Sequence, residues 1–145
     1  MEGALKMRKF TYVLFAALGV FSLPVHADVD GAKQFVKQYA ALVKGVNPSY
    51  VLNAEAGRAF FIKRHAVKGK EVGCTDCHTD NPAAQGKHAK TGKPIASLSP
   101  VVNPKRFSDL KKTEETFDEH CIEILERNCT SQEKGNYIVY LLSVK

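Results

Sequence analysis

Apolar residues recur three or four positions apart in four stretches of the chain, which is the spacing of one face of an α-helix. The first stretch, residues 31–44, stops before Gly45 and Pro48, residue types that end helices. Its apolar residues are Phe35, Val36, Tyr39, Leu42 and Val43. The second stretch, residues 53–66, starts at Asn53, whose side chain can accept a hydrogen bond from the first helical turn.

Two further helices are predicted towards the C-terminus, one at residues 108–127 and one from Thr130 onwards. The last helix opens with a capping box, in which the side chain of Thr130 and that of Glu133 each bond the other residue's backbone N–H. Residues 81–106 contain four prolines and two glycines and are predicted to form a loop. No stretch alternates between apolar and polar residues as a strand does, so the predicted fold class is all-α.

The first 27 residues have the pattern of a secretory signal peptide. A basic start precedes an uncharged apolar run at residues 10–23, and small residues follow up to Ala27. The apolar run is shorter than the roughly 20 residues that span a bilayer. We therefore expect cleavage after Ala27, no retained membrane anchor, and an exported, periplasmic domain of residues 28–145.

The main chemical signature of the chain is the run Cys74-Thr75-Asp76-Cys77-His78. Two thiols separated by two residues and followed by a histidine form the attachment signature of a c-type haem. In that signature each thiol forms a thioether with a vinyl group of the porphyrin, and the imidazole binds the iron. We therefore expect one covalent haem c, held by Cys74 and Cys77, with His78 as its proximal ligand.

The motif does not fix the second axial ligand of the iron. The chain has two methionines, and both lie in the predicted signal peptide. Besides the proximal ligand, the exported domain contains His65, His88 and His120. His120 shares a helical face with Phe117 and Ile124, which directs its imidazole towards an apolar interior. The sequence therefore favours His120 and leaves His88, His65, an asparagine, a lysine or water as alternatives.

Two cysteines, Cys121 and Cys129, remain outside the haem motif. In an exported chain a pair of this kind is most often a disulfide, and it would fix the backbone directly after His120. The alternative is a zinc site formed with Cys74 and Cys77. That alternative is disfavoured, because the chain lacks the second closely spaced pair of common zinc ribbons.

Charge is unevenly distributed along the chain. The 21 basic and 15 acidic residues become 18 and 14 without the predicted signal peptide. Residues 58–112 hold twelve basic and four acidic residues, whereas residues 113–145 hold three and seven. The imbalance predicts either an ordinary solvated surface or steering onto an acidic redox partner. No nucleic-acid partner is expected, because the basic stretch lacks interleaved aromatic residues and the chain is exported.

The order of a helix, Cys-X-X-Cys-His, a long loop, a helix and a final aromatic helix resembles the class I cytochrome c fold. In that fold the first core helix crosses the last one. The resemblance implies that Gly57 permits this crossing and that Phe61 packs near Tyr137 or Leu141. Residues 28–46 have no clear counterpart there, and they either fill the core or contact a partner.

More narrowly, the chain from about Asn53 onwards resembles the sphaeroides haem protein family. The matching segments are Cys74-Thr75-Asp76-Cys77-His78-Thr79, Thr91-Gly92-Lys93-Pro94-Ile95, Asn103-Pro104-Lys105-Arg106-Phe107, Cys121, Cys129-Thr130 and Glu133-Lys134-Gly135. The resemblance implies an exported monohaem cytochrome with a disulfide beside the haem and a diheme cytochrome c as its redox partner. The best-known member uses an asparagine as distal ligand directly before the first disulfide cysteine. In this chain that position is His120.

These features predict an electron-transfer protein and not an enzyme. Imidazole binds both oxidation states of iron more firmly than asparagine, so we expect low-spin iron with His78 and His120 bound. We expect His120 to stay largely bound on reduction. The alternative is a haem protein whose distal ligand leaves on reduction, so that O2, CO or another small gas binds. Arg106 is interpreted either as a partner of a haem propionate or as a solvent-facing side chain.

Overall fold

Five helices and two small antiparallel sheets form residues 29–145, the part of the chain that the computed structural model describes. The helices are α1 Val29–Val46, α2 Ala54–Ile62, α3 Thr75–His78, α4 Leu110–Leu125 and α5 Ser131–Ser143. The strands are β1 His65–Val67 with β2 Lys70–Val72, and β3 Gly86–Lys87 with β4 Pro94–Ile95. The predicted signal peptide and its cleavage site lie outside the described residues. Within them, no helix is long and apolar enough to cross a membrane.

The four long helices predicted from apolar spacing are present, but the second is shorter than predicted. It was expected to reach residue 66, whereas α2 ends at Ile62 and His65–Val67 forms a strand. The reason is a two-residue hairpin turn at Lys68 and Gly69, whose φ angles of 51° and 76° match the twist of paired strands. The expectation of no strand was wrong, because strands of two or three residues are too short to show alternation.

Helices α2 and α5 cross in close contact at Gly57. A Cβ atom there would overlap the backbone carbonyl of Asn136 and lie 2.8 Å from the Cβ of Tyr140. One turn later, the Phe61 ring centroid lies 6.2 Å from that of Tyr137 and 5.8 Å from that of Tyr140. The crossing implied by the class I resemblance is therefore confirmed, with Gly57 as the residue that permits it.

Replacing Gly57 by alanine is expected to destabilise the fold by about 3 kcal/mol, because the added methyl group forces the two helices apart. The matched control is Gly45→Ala, since a Cβ on Gly45 meets no atom within 4 Å. The control should be neutral or slightly stabilising, because alanine is the better helix former. Urea unfolding of both variants measures the difference, and equal midpoints for Gly57→Ala and the wild type would contradict the crossing.

Helix α1 fills the core against α5. Its buried residues are Ala32, Phe35, Tyr39 and Val43. The Phe35 ring lies 6.0 Å from that of Phe107, which precedes α4. On the α5 side, a Cβ atom on Gly135 would lie 3.1 Å from the Cβ of Tyr39, so the two helices are in close contact. Of the two roles considered for this segment, core packing is the one that the structure shows.

Candidate haem site

A cavity of about 1100 Å³ lies between the haem motif, the β1–β2 hairpin, the loop around β3 and helix α4. Its lining includes the four predicted haem-site residues Cys74, Cys77, His78 and His120. It also includes His65 and His88, the other two histidines of the exported domain. Phe60, Phe117, Leu98 and Tyr137 contribute apolar surface. Residues separated by more than 40 positions in the sequence thus face one space of the size of a cofactor pocket.

The haem motif forms one tight helical turn, α3. The backbone N–H of His78 donates to the carbonyl of Cys74 at 3.0 Å, which places both residues on the cavity side. Asp76 anchors the turn: it accepts from Arg64 at 2.6 Å and from the N–H of Gly73 at 2.9 Å. The hydrogen bond with Arg64 holds the pKa of Asp76 below its usual range. Sequence reasoning missed this pair, because its partners lie in separate elements.

The loop at β3 packs against the motif through Gly86. A Cβ atom on Gly86 would overlap the backbone carbonyl of Cys77 and lie 3.1 Å from the Cα of His78. Further along this loop, the N–H of Ala89 donates to the Sγ of Cys77 at 3.3 Å. The loop therefore holds one of the two thiols. Sequence reasoning used Gly86 only as an indication of a loop, although its packing on the motif is what the site requires.

Burial sets the protonation of the motif's side chains. Burial lowers the pKa of His78 to about 4, and the positive charge of Arg106 acts in the same direction. The His78 imidazole is therefore neutral at physiological pH, the form in which it binds a metal. Burial also raises the pKa of the Cys74 thiol to about 11, and neither Cys74 nor Cys77 is in a disulfide. Both thiols are available for attachment.

The hydrogen bond of His120 fixes which of its ring nitrogens carries the proton. Its Nδ1 lies 2.8 Å from the carbonyl oxygen of Thr116, one turn earlier in α4. A carbonyl only accepts hydrogen bonds, so Nδ1 must donate, and in the neutral ring the lone pair is then on Nε2. Metal-binding histidines commonly donate their other ring N–H to a backbone carbonyl in this way. His120 thus has the tautomer that an axial ligand requires.

His88 has the opposite tautomer. Its Nδ1 accepts hydrogen bonds from the backbone N–H groups of Lys90 and Thr91, both at 3.2 Å. The lone pair is therefore used within the turn, and the neutral ring carries its proton on Nε2. To bind iron through Nε2, His88 would have to lose both bonds and the turn they hold. The side chain is solvent-exposed, as predicted for this lysine-rich loop. That of His120 is exposed as well and lines the cavity, whereas the sequence predicted that it points towards an apolar interior.

Cys121 and Cys129 form a disulfide, with their Cα atoms 5.6 Å apart. Both residues are buried, and the bridge joins the end of α4 to the residue before Thr130, the N-cap of α5. Cys121 is the residue directly after His120. A zinc site of four cysteines is excluded by this pairing, and no cluster of three metal-binding side chains occurs within residues 29–145.

Arg106 supplies a test of whether haem fits the cavity. Among the buried polar side-chain atoms of residues 29–145, its Nε is the one that has no hydrogen-bond partner. The guanidinium carbon lies 5.4 Å from the centroid of the Phe107 ring, and the side chain lines the cavity. A buried cationic donor without a partner is costly unless an anion accepts from it. The propionates of haem are such anions, so the two free thiols, the neutral imidazole and Arg106 together fit haem c.

Several known proteins are similar to this chain. Cytochrome c'' of Methylophilus methylotrophus is 42% identical over 133 residues, which cover 90% of this chain and 92% of the relative. Cytochrome c-type protein SHP of Cereibacter sphaeroides is 34% identical over 90 residues, 61% of this chain and 69% of the relative.

Solved structures of these two proteins share the fold. The crystal structure of oxidised cytochrome c'' superposes with a TM-score of 0.77 at 42% identity and covers 81% of this chain and 98% of its own. A solution structure of cytochrome c'', which addresses the structural basis of haem-ligand detachment, gives a TM-score of 0.74 at 42% identity, with coverages of 80% and 95%. Oxidised SHP, an oxygen-binding cytochrome c, gives 0.66 at 31% identity, with coverages of 76% and 94%.

The helical fold and the thiol and imidazole groups in one cavity define a monohaem c-type cytochrome with the class I fold and one covalent haem. Residues 48–141 match the family described as "Domain of unknown function (DUF1924)". The chain belongs to this family, together with the SHP-like cytochromes c that it resembles.

Proposed function

We propose that this cytochrome is exported to the periplasm and transfers electrons to and from a partner protein. Haem c supplies a one-electron redox centre when bound. In this proposal Cys74 and Cys77 hold the haem covalently, while His78 and His120 are its axial ligands. Arg106 donates to a propionate. No substrate is transformed, and the relatives carry the names of cytochromes.

The observation that carries the proposal is the tautomer of His120. Its Nδ1 donates within α4, which leaves the lone pair on Nε2, and His120 lines the same cavity as His78. Two imidazoles are strong ligands and favour low-spin iron, a state that changes little in structure when an electron is gained or lost. The site is therefore suited to electron transfer. His88 lines the cavity too, but the Nδ1 of its ring accepts two hydrogen bonds from its own turn.

The surface around the cavity favours an acidic partner. Lys63, Lys68 and Lys70 line the cavity and are solvent-exposed. Lys90, Asp76 and Glu123 also line it, and each of these takes part in an ion pair. Opposite charge at the encounter surface speeds association, and salt screens this effect. By resemblance, the partner is a diheme cytochrome c or a similar redox protein. Its docking surface is proposed to be acidic.

Electron transfer from a reduced diheme cytochrome c is expected to slow as ionic strength rises. In low salt, the double variant Lys68→Ala/Lys70→Ala should be slower than the wild type by about tenfold, because steering charges change association rates by one to three orders of magnitude. The matched control is Lys37→Ala/Lys44→Ala, two exposed lysines on α1 away from the cavity. Stopped-flow mixing measures the rates, and equal slowing in both double variants would argue against docking at the cavity.

A second candidate function is small-gas binding after the distal ligand leaves reduced iron. Two relatives favour it: one is described through haem-ligand detachment and the other as oxygen-binding. The two candidates differ in what happens on reduction. Our prediction is that His120 stays largely bound to the iron, whereas the second candidate requires that it leaves.

Carbon monoxide added to the reduced protein separates the two candidates. The second candidate predicts a high-spin reduced spectrum and binding at a rate proportional to the carbon monoxide concentration. A retained imidazole instead predicts a low-spin reduced spectrum, and binding limited by the dissociation of His120 and so independent of that concentration. Stopped-flow absorption spectroscopy gives both readouts. A low-spin spectrum of the reduced protein would rule out the second candidate.

A further inference from the structure

Lys134, in the first turns of α5, is a buried charged residue that the haem site does not use. It is 8% exposed, and lysine is seldom buried this far unless it is paired. Its ammonium donates to Glu114 Oε2 at 2.8 Å and to Asp118 Oδ1 at 3.1 Å. Both carboxylates belong to α4 and lie one helical turn apart. One side chain of α5 therefore holds two successive turns of α4.

The same cluster reaches a third helix. The hydroxyl of Tyr39, on α1, donates to the second carboxylate oxygen of Glu114. The Lys134 ammonium also lies 5.4 Å from the centroid of the Phe117 ring, a cation–π contact. Burial opposes the charge of Lys134, but the hydrogen bonds to the two carboxylates outweigh it and the pKa is raised. The ammonium is therefore charged, and it joins α1, α4 and α5.

The position of His120 depends on how α4 is held. The hydrogen bond that orients its ring goes to Thr116 within α4, so the imidazole moves with the helix. The Lys134 cluster fixes α4 two residues before His120 at Asp118, and the disulfide fixes it one residue after, at Cys121. At 100° per residue, rotation of α4 about its axis would swing the imidazole across the cavity. The ion pair at Asp118, before His120, and the disulfide at Cys121, after it, prevent that rotation.

Resting on the proposed function, in which His120 binds iron, we propose that Lys134 is a positioning residue for the distal ligand. Its ammonium holds Glu114 and Asp118 and thereby sets the rotation of α4. The ammonium is buried, whereas the side chains of Glu114 and Asp118 are 35% and 56% exposed. Ion pairs of this kind add little to stability compared with apolar packing, and in this proposal their role is to specify one arrangement of α4. The main effect of the cluster is accordingly on the position of the His120 side chain, and its effect on the stability of the fold is smaller.

The test compares Lys134→Met with Lys111→Met. Methionine keeps roughly the length of the side chain but removes its charge, and with it both hydrogen bonds to α4 and the cation–π contact with Phe117. Lys111 pairs with Glu115 on the exposed side of α4. Its variant therefore removes a lysine ion pair of α4 without touching the cluster. In Lys134→Met, cyanide should displace His120 from the oxidised protein about tenfold faster, a size typical of mutations that act on a site from a distance. Lys111→Met should match the wild type.

Hydrogen–deuterium exchange gives a readout that does not depend on the haem. In Lys134→Met, the α4 amides around Asp118 should exchange faster, whereas those of α2 and α5 stay protected. Unchanged exchange and cyanide rates would overturn the proposal. Faster exchange with an unchanged cyanide rate would also overturn it, because α4 would then be loosened without affecting the ligand.

Two further variants complete the test. If Lys134→Met does not fold, Tyr39→Phe removes only the hydroxyl that donates to Glu114 and should change both readouts in the same direction by less. No change in Tyr39→Phe would then overturn the proposal. His120→Asn should bind cyanide faster than every other variant. A rate equal to that of the wild type would show that His120 is not the ligand, and so would remove the proposed function itself.

Discussion

Replacing His120 by asparagine is expected to convert the oxidised protein from low-spin to predominantly high-spin iron. An amide is a much weaker ligand than an imidazole, so the ligand field at the sixth position collapses. The site itself should remain, since Cys74, Cys77 and His78 are held by contacts that do not involve α4. Absorption and paramagnetic resonance spectra of the oxidised variant measure the change.

The control for this prediction is His88→Ala, which removes the other exposed histidine of the cavity. Its spectrum should stay low-spin, because the His88 lone pair is already used by the backbone N–H groups of Lys90 and Thr91. An unchanged low-spin spectrum in His120→Asn would redirect the assignment to His88. Loss of the low-spin signal in both variants would mean that His120 is the ligand and that the loop around β3, which contains His88, is needed to hold it in place.

The sequence predicted the helices because their information is local. The Asn53 side chain accepts from the N–H of Ala56 at 2.8 Å, and Thr130 with Glu133 forms the expected capping box. Both caps connect residues within one helical turn. The β1–β2 hairpin was missed because three-residue strands carry no periodicity, although Lys68-Gly69 is a plausible hairpin turn in hindsight. The end of α2 was misplaced for the same reason.

The haem site shows a similar division. The thiols and His78 are adjacent in sequence, and their spacing alone identifies the cofactor. His120 was favoured by elimination and by its helical face, and its bond to Thr116 spans one turn that a helical register could have suggested. The contact between Tyr39 and Glu114 joins residues 75 positions apart. No local pattern reports such a contact, because it depends on how three helices pack.

Removing the disulfide with Cys121→Ser/Cys129→Ser is expected to destabilise the oxidised protein by roughly 2–3 kcal/mol, from the entropy that a short closed loop removes from the unfolded chain. The bridge joins two residues that are 8 positions apart in the sequence. The segment between them includes Glu126, which has a left-handed backbone conformation at the end of α4. Without it, this turn must be held by the Arg127 and Glu133 pair, an exposed contact of lower strength. Denaturant unfolding followed by circular dichroism measures the loss.

The same double variant should also weaken the distal ligand, because Cys121 follows His120 directly in α4. The Lys134 cluster still holds the preceding turn, so we expect faster displacement of His120 by added cyanide and a low-spin resting state. Reduction of the wild-type disulfide, followed by blocking of the two thiols and reoxidation of the iron with ferricyanide, should reproduce both effects. This control separates loss of the bridge from the two serine substitutions. Loss of stability with an unchanged displacement rate would mean that the bridge stabilises the fold without positioning His120, and that the contacts before His120 are sufficient to place it.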